Sequence, residues 1–395
     1  MFFCRYGLFW GTRTVMPFPF SPSRYWMFLL VLLFISSGCG GGSGSSHDET
    51  RQKVNDALDK VMVDNNIPGL VAKTSLHNDG PWTVVKGVAN TATNEWTTAE
   101  HKFRVASVTK TFTAVMVLIL ADRGELGLDD TVGNYLLNVP NGDQITVRML
   151  LNHTSGIRDE DPDGELRRAL REEPLRKWTP WEVFNTYTGG KPQGSPGMEY
   201  EYSNAGYVLA GILIEEIAGK TVQEFLEESI TGPLELNNTY FPEGPTIREP
   251  HAHGYDGDKD VTHSDLSWDF TAGAMVSSAG DLYKWARAFS LGYLLSPEMF
   301  AEQKRWIELP KGRGEIKGGL GMVNLFGWLG HSGGNIGWLA NMYYQPEQDA
   351  ALVVLMNKLS NDGSDLLAGQ QAFARVADVL VPGSIPLWYL EAVMP

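Results

Sequence analysis

Phe103-Arg104-Val105-Ala106-Ser107-Val108-Thr109-Lys110-Thr111-Phe112-Thr113-Ala114 opens a long apolar run, and the rest of the chain is read outward from it. A Ser and a Lys three residues apart share one face of a helix. If the helix starts at Ser107, the hydroxyl sits where free backbone N–H groups and the positive end of the helix dipole gather. The Lys110 ammonium then lies one turn on, within reach. A serine nucleophile needs a neighbouring base or a device that lowers a pKa, and this spacing supplies one. An isolated Ser-x-x-Lys fits a capped helix start with a solvated lysine better than a nucleophile, so the decision falls to other stretches. Val115-Met116-Val117-Leu118-Ile119-Leu120 carries the run on to Gly124. Being apolar nearly all round, it predicts a helix buried between layers.

Upstream, residues 48–65 put Val54, Leu58, Val61 and Met62 on one helical face, with Asp48 as a cap. Gly69–Leu76 and Trp82–Val88 flank Asn78-Asp79-Gly80 and read as a β-hairpin. From about 125 to 265 the chain reads as helices and loops. Leu150 to Gly156 ends one short helix, and Tyr207 to Ala218 forms another, stopped by Gly219. Asp159-Glu160-Asp161-Pro162-Asp163-Gly164-Glu165 lacks the full calcium-loop spacing and reads as a solvated acidic loop. Strand signals return in Gly321–Trp328, Ile336–Gln345 and Ala351–Met356, the order of an antiparallel meander, and Asp365–Leu380 closes as a helix. Strands at both ends with helices between give an α+β fold. Its sheet domain takes residues 48–124 and 266–395, and a helical domain, 125–265, is inserted.

The chain has 395 residues, 43% hydrophobic and 20% charged, with a net charge of −15. That is the composition of a globular protein with a sizeable core. Residues 1–46 hold only Arg5, Arg13 and Arg24, which leaves 29 basic side chains against 47 acidic ones, or −18, beyond them. So acidic a body repels nucleic acid, and none is expected as a partner. Both cysteines, Cys4 and Cys39, precede the globular part. That part therefore has no disulfide and no thiolate metal site, and no cofactor motif stands out. His251, His253 and His263 form the one local histidine cluster, read as a solvated loop and not a metal site.

Arg24, the apolar run Met27–Ile35 and Ser36-Ser37-Gly38 have the order of a signal peptide over residues 1–38. The run is short for a membrane span, which needs about 20 apolar residues. The stretch before Met16 or Met27 is longer than a signal needs, which points to a start downstream of Met1. Cys39 after small residues resembles the lipobox of bacterial lipoproteins, although Ser36 stands where Leu is usual. An ordinary signal peptide and an uncleaved anchor are the alternatives. Residues 39–47 then form a flexible tether. The expected location is the cell envelope, on the periplasmic or extracellular side, with the membrane as a partner through the lipid.

Two further stretches decide for chemistry at Ser107. In Glu199-Tyr200-Glu201-Tyr202-Ser203-Asn204, Tyr202 and Asn204 project to one side of an extended segment. A nearby cation lowers a tyrosine pKa, so Tyr202 beside Lys110 is a candidate base. The Asn204 amide suits both the lysine and a substrate amide. Gly330-His331-Ser332-Gly333-Gly334 has the small residues that let a substrate backbone lie along an exposed strand. One N–H there, with that of Ser107, is placed to form an oxyanion hole, worth roughly 3–4 kcal/mol per donor.

Together, Ser107-x-x-Lys110, Tyr202-x-Asn204 and His331-x-Gly333 make the chain resemble the serine β-lactamase and penicillin-binding protein superfamily, on its class C β-lactamase and D-alanyl-D-alanine carboxypeptidase side. Leu150–Ile157, Pro196-Gly197-Met198, Gly232–Leu236 and Ala272–Asp281 add to the likeness, which covers residues 50–380. The resemblance implies the fold of that superfamily and a nucleophile, Ser107, served by Lys110 and Tyr202. It implies an oxyanion hole at the Ser107 and Gly334 N–H groups, and substrate binding by Asn204, His331, Ser332 and Gly333. His331 stands where lysine is commoner, and a neutral histidine draws a substrate carboxylate less. Arg313 and Lys317 are candidates for the missing charge. The expected substrate is a small molecule or peptide with an acyl, amide or ester bond, hydrolysed by a D-alanyl-D-alanine carboxypeptidase-like enzyme. An esterase or β-lactamase on the same scaffold and a catalytically silent binding module are the alternatives.

Overall fold

The structure is a computed structural model that describes residues 44–394 other than 78, 162, 163, 311 and 313. The expected signal segment, Cys39, most of the tether, Asn78 of the hairpin turn and Arg313 lie outside the described residues.

Helix α1 (Gly44–Asn65) leads into β1 (Gly69–Leu76), β2 (Asp79–Asn90) and the short β3 (Glu95–Trp96). β4 (Lys102–Arg104) passes through a 3₁₀ turn at 106–108 into α2 (Thr109–Asp122). The middle of the chain supplies α3 (Val147–Leu151), α4 (Glu165–Glu172), α5 (Pro180–Thr188), α6 (Asn204–Ala218) and α7 (Val222–Leu226). A ribbon of β5 (Tyr255–Asp256) and β6 (Lys259–Asp260) precedes α8 (Phe270–Gly273) and β7 (Val276–Ser278). α9 (Ala279–Leu291) and α10 (Pro297–Gln303) lead to β8 (Ile307–Glu308), β9 (Ile316–Gly318) and β10 (Val323–Leu325). β11 (Trp328–Asn335), β12 (Trp338–Gln345), β13 (Ala350–Met356), α11 (Leu366–Leu380) and α12 (Leu387–Val393) complete it.

Nine strands form one antiparallel sheet in the order β3-β2-β1-β13-β12-β11-β10-β9-β8. Strands from the early and late parts of the chain pair inside it, where Leu70 of β1 lies opposite Met356 of β13. β13 is buried on both faces. Leu352, Val354 and Met356 join the core under α1 and α11, while Ala351, Val353 and Leu355 join the core shared with α2 and α6. A period of two across a strand sorts them, and an unbroken apolar run serves both sides. All of Thr109 through Leu120 is buried in α2, as an all-round apolar helix requires.

The strand around His331 fills a gap in the sequence reading, whose strand runs stop at Trp328 and resume at Ile336. β11 runs straight through the glycines from Trp328 to Asn335, and the chain turns instead at Phe326-Gly327 and at Gly337. Gly337 has φ +92° and makes the turn into β12. The glycines inside β11 are extended, and glycine there serves close approach rather than reversal. The expected solvated histidine loop also differs. His251 is only 7% exposed, because Ala252 N–H donates to Lys102 O and draws the segment along β4. His253 pairs with Asp260 at 2.6 Å.

Candidate active site

Ser107 is presented by a strained turn. β4 pairs with β7, Val105 N–H donates to Met275 O, and Ala106 then takes φ +48° before the helix begins. A left-handed alanine costs of order 1–3 kcal/mol and persists where its surroundings over-determine it. Lys110 follows one turn later, fully buried, as the spacing requires. Its Nζ donates to Ser107 Oγ at 3.3 Å, to Asn204 Oδ1 at 2.7 Å and to Ala272 O at 2.8 Å.

Asn204 is held by the start of α6. Ser203 Oγ accepts from Gly206 N–H, and Asp159 accepts from the Asn204 and Ala205 N–H groups at 2.8 and 2.9 Å. Tyr202, just before it, has 39% of its surface exposed, and its phenol meets the Ser107 hydroxyl. His153 lies beneath the phenol ring with centroids 4.4 Å apart, and its Nδ1 accepts from Ser203 N–H. The Tyr207 ring lies 5.5 Å from Lys110 Nζ, and its OH donates to Leu151 O.

β11 brings the third piece. A Cβ on Gly333 would lie 2.3 Å from Val105 O and 3.0 Å from Ser107 N, so glycine is what lets strand and turn touch. β10 pairs with β11 only as far as Gly330, which leaves the other edge of 331–335 without a strand partner among the described residues. His331 faces the reaction side, 6.4 Å from the Tyr202 ring. Ser332 does not, contrary to its expected place among the substrate-binding side chains. Its Oγ bonds Asn341 Oδ1 at 3.0 Å and Tyr343 OH at 2.9 Å on the α11 face, because successive strand residues alternate. Lys317 sits on β9, two strands from β11.

Burial dominates the electrostatics. It lowers Lys110 to about 8, with the Asp269 and Asp159 carboxylates pulling it back up. It raises the Tyr202 phenol, with only the Ser107 contact opposing, so the expected lowering by the lysine is overturned. Burial and the Lys110 charge bring His331 down to about 4, and His153 also falls well below the ordinary histidine value. Near neutral pH the site therefore holds neutral histidines, a protonated phenol and a lysine close to its titration point.

Four participants were missed in the sequence. His153 lies in a stretch noted only as a landmark. Asp159 belongs to the loop read as solvated, yet it anchors α6. Asp269 is buried, raised to about 6 by desolvation, and accepts from Asn335 Nδ2 at 2.8 Å. Asn335 directly follows the glycines of β11.

The family model described as Beta-lactamase matches residues 54–376. Protein flp of Staphylococcus aureus (strain MRSA252) is 26% identical over 251 residues, which is 61% of this chain and 49% of the relative. D-alanyl-D-alanine-carboxypeptidase/endopeptidase AmpH of Escherichia coli (strain K12) is 28% identical over 191 residues, 47% of this chain and 48% of the relative. The chain spans about half the length of these curated relatives. Among solved structures, D-amino acid amidase from Ochrobactrum anthropi SV3 complexed with L-phenylalanine amide matches with TM-score 0.74 and 27% identity, over 84% of this chain and 98% of that one.

Proposed function

From the premise that the chain belongs to the Beta-lactamase family of serine hydrolases, we propose that it hydrolyses amide bonds through a Ser107 acyl-enzyme, as a D-alanyl-D-alanine carboxypeptidase-like enzyme. The observation that carries this reading is the buried Lys110 Nζ, 3.3 Å from Ser107 Oγ and tied to Asn204. Lys110, lowered to about 8, is the group able to take the Ser107 proton. Tyr202, held protonated, passes a proton to the leaving group and recovers one from Lys110. The Ser107 and Gly334 N–H groups hold the oxyanion, and Asn204 orients the substrate amide. Water, activated by the Lys110–Tyr202 pair, then releases the acyl group. Export and a lipid tether at Cys39 belong to the same proposal and rest on residues 24–39 alone.

One observation favours a second reading. His331, at about 4, carries no charge near neutral pH and so draws a C-terminal carboxylate less than a lysine would. Uncharged leaving groups, as in amino-acid amides and esters, then suit this end of the cleft better than free peptide termini.

The test is intact mass and turnover of the full chain with penicillin, D-alanyl-D-alanine peptides, D-amino-acid amides and p-nitrophenyl esters, beside Ser107→Ala. Turnover or a covalent adduct that depends on Ser107 is expected. Undiminished turnover by Ser107→Ala sinks the assignment.

A further inference from the structure

A pocket of about 400 Å³ lies at the end of β11 away from His331, with none of Ser107, Lys110, Tyr202 or Asn204 in its lining. Three links fix it there. Asn335 on its wall is the residue after Gly334, and Trp268 precedes Asp269. Arg104 lies three residues before Ser107, a reach of roughly 10 Å at most along the chain.

Its lining is apolar and cationic in a chain of net charge −15. Trp268, Trp338 and Ile336 supply the apolar wall; Arg104, Lys259 and Arg171 supply the charge. Two acids line it, and both are engaged. Asp260 holds His253 and Thr262, and Asp256 accepts from Asn361 N–H. The donors are not matched. Arg104 is 1% exposed, and its Nη2 alone serves the carbonyls of Pro245, Thr262 and Ser264. Its Nε and Nη1, and Nε1 of Trp268, are buried with no hydrogen-bond partner among the described residues. Unmatched buried donors are costly, and these three are all N–H groups. The Asp265 carboxylate acts on Arg104 through its charge, but no group among the described residues bonds these three atoms.

We propose that this pocket binds a carboxylate carried by the substrate, on a part that extends past Gly334 and packs against Trp268. The inference rests on the hydrolase reading above and names its substrate class. It also explains the neutral His331: the attraction for an anion lies at the other end of the cleft. A carboxylate there meets the Lys259 ammonium and the Arg171 guanidinium, which are exposed on the pocket lining, and both contacts are charge-assisted.

Four esters test it on the full chain. p-Nitrophenyl hydrogen glutarate is set against p-nitrophenyl valerate, which puts the carboxylate on the acyl part. 3-Carboxyphenyl valerate is set against phenyl valerate, which puts it on the leaving part. In one of the pairs kcat/KM should favour the acid by about tenfold or more, the scale of a charge-assisted contact. Lys259→Gln with Arg171→Gln should erase that preference and leave the neutral esters unchanged. Equal or lower rates for the acids in both pairs, or a preference that survives the double variant, overturn the proposal. If no ester is turned over, these esters are not its substrates, the hydrolase reading stands or falls by the peptide and amide assays above, and the pocket is judged by binding alone. Glutarate, but not glutaramide, should then change the tryptophan fluorescence of the chain, and Lys259→Gln with Arg171→Gln should abolish the change. Absence of that signal, or its survival in the variant, overturns the pocket.

Discussion

Helices α2 and α11 belong to the cores on opposite faces of the same sheet, and they are buried for different reasons. α11 is amphipathic: Ala368, Ala372, Phe373, Val376, Ala377 and Leu380 turn inward, and Phe373 packs on Trp328 and Tyr343. α2 is buried all round and takes polar groups with it. Thr111 donates to Val108 O, Thr113 donates to Thr271 O, and Lys110 reaches three oxygens. A buried polar group is costly unless matched, and a buried ammonium most of all. One face is therefore scaffold. The other accepts a loss of stability to hold a lysine near its titration point.

Lys110→Met is the strongest test of that division. Removing the proton acceptor should lower kcat by about a thousandfold or more, within the range for acid–base groups at acyl-transfer sites. Stability should move the other way with pH. Because Lys110 is lowered to about 8 in the folded chain, the unfolded chain binds more protons between about 8 and the ordinary lysine value. Its contribution therefore makes stability rise with pH across that window. The variant should lose that rise in chemical denaturation at several pH values. A full rise in Lys110→Met would mean that another group titrates there.

Phe373→Ala should do the reverse. It opens a cavity against Trp328 and Tyr343 and should lower unfolding free energy by about 3–5 kcal/mol, read from urea curves. The pH profile of kcat/KM should stay where it was. A displaced profile would show that the two faces are coupled and break the division.

The two faces also differ in how far the sequence reveals them. The run Ala350–Met356 and the spacing of α11 carry their own geometry, since apolar periodicity states burial directly. Spacing made Ser107 a neighbour of Lys110 and Tyr202 a neighbour of Asn204, and that the two pairs meet was legible only through the family resemblance. Asp269 was not. It approaches Lys110 from a loop well over a hundred positions away, and no local pattern marks it. His153 and Asp159 were hidden in the same way. The bounds of β11 were missed for another reason. Glycine marks both a reversal, as at Gly337, and a close approach, as at Gly333, and the letters do not separate the two.

Asp269→Asn should give the smallest effect and the sharpest one. Asp269 is buried, bonds Asn335, and sits where a Cβ on Gly273 would come within 2.0 Å of its Oδ2. Its charge supports the Lys110 ammonium, so its loss should lower the Lys110 pKa further. The acid limb of kcat/KM, expected near about 8 in the parent, should then move to lower pH. The stability sign is fixed separately. Asp269 is raised to about 6, so its favourable contribution is complete below the ordinary aspartate value and is lost as pH rises through about 6. Asparagine, which keeps an acceptor and carries no charge, should spare the chain that loss. At neutral pH the variant should therefore be no less stable than the parent while its limb is displaced. An unmoved limb would mean that the limb belongs to a group other than Lys110, and the proton acceptor would have to be sought at Tyr202. A limb moved by Phe373→Ala as much as by Asp269→Asn would make the shift a matter of packing, not charge.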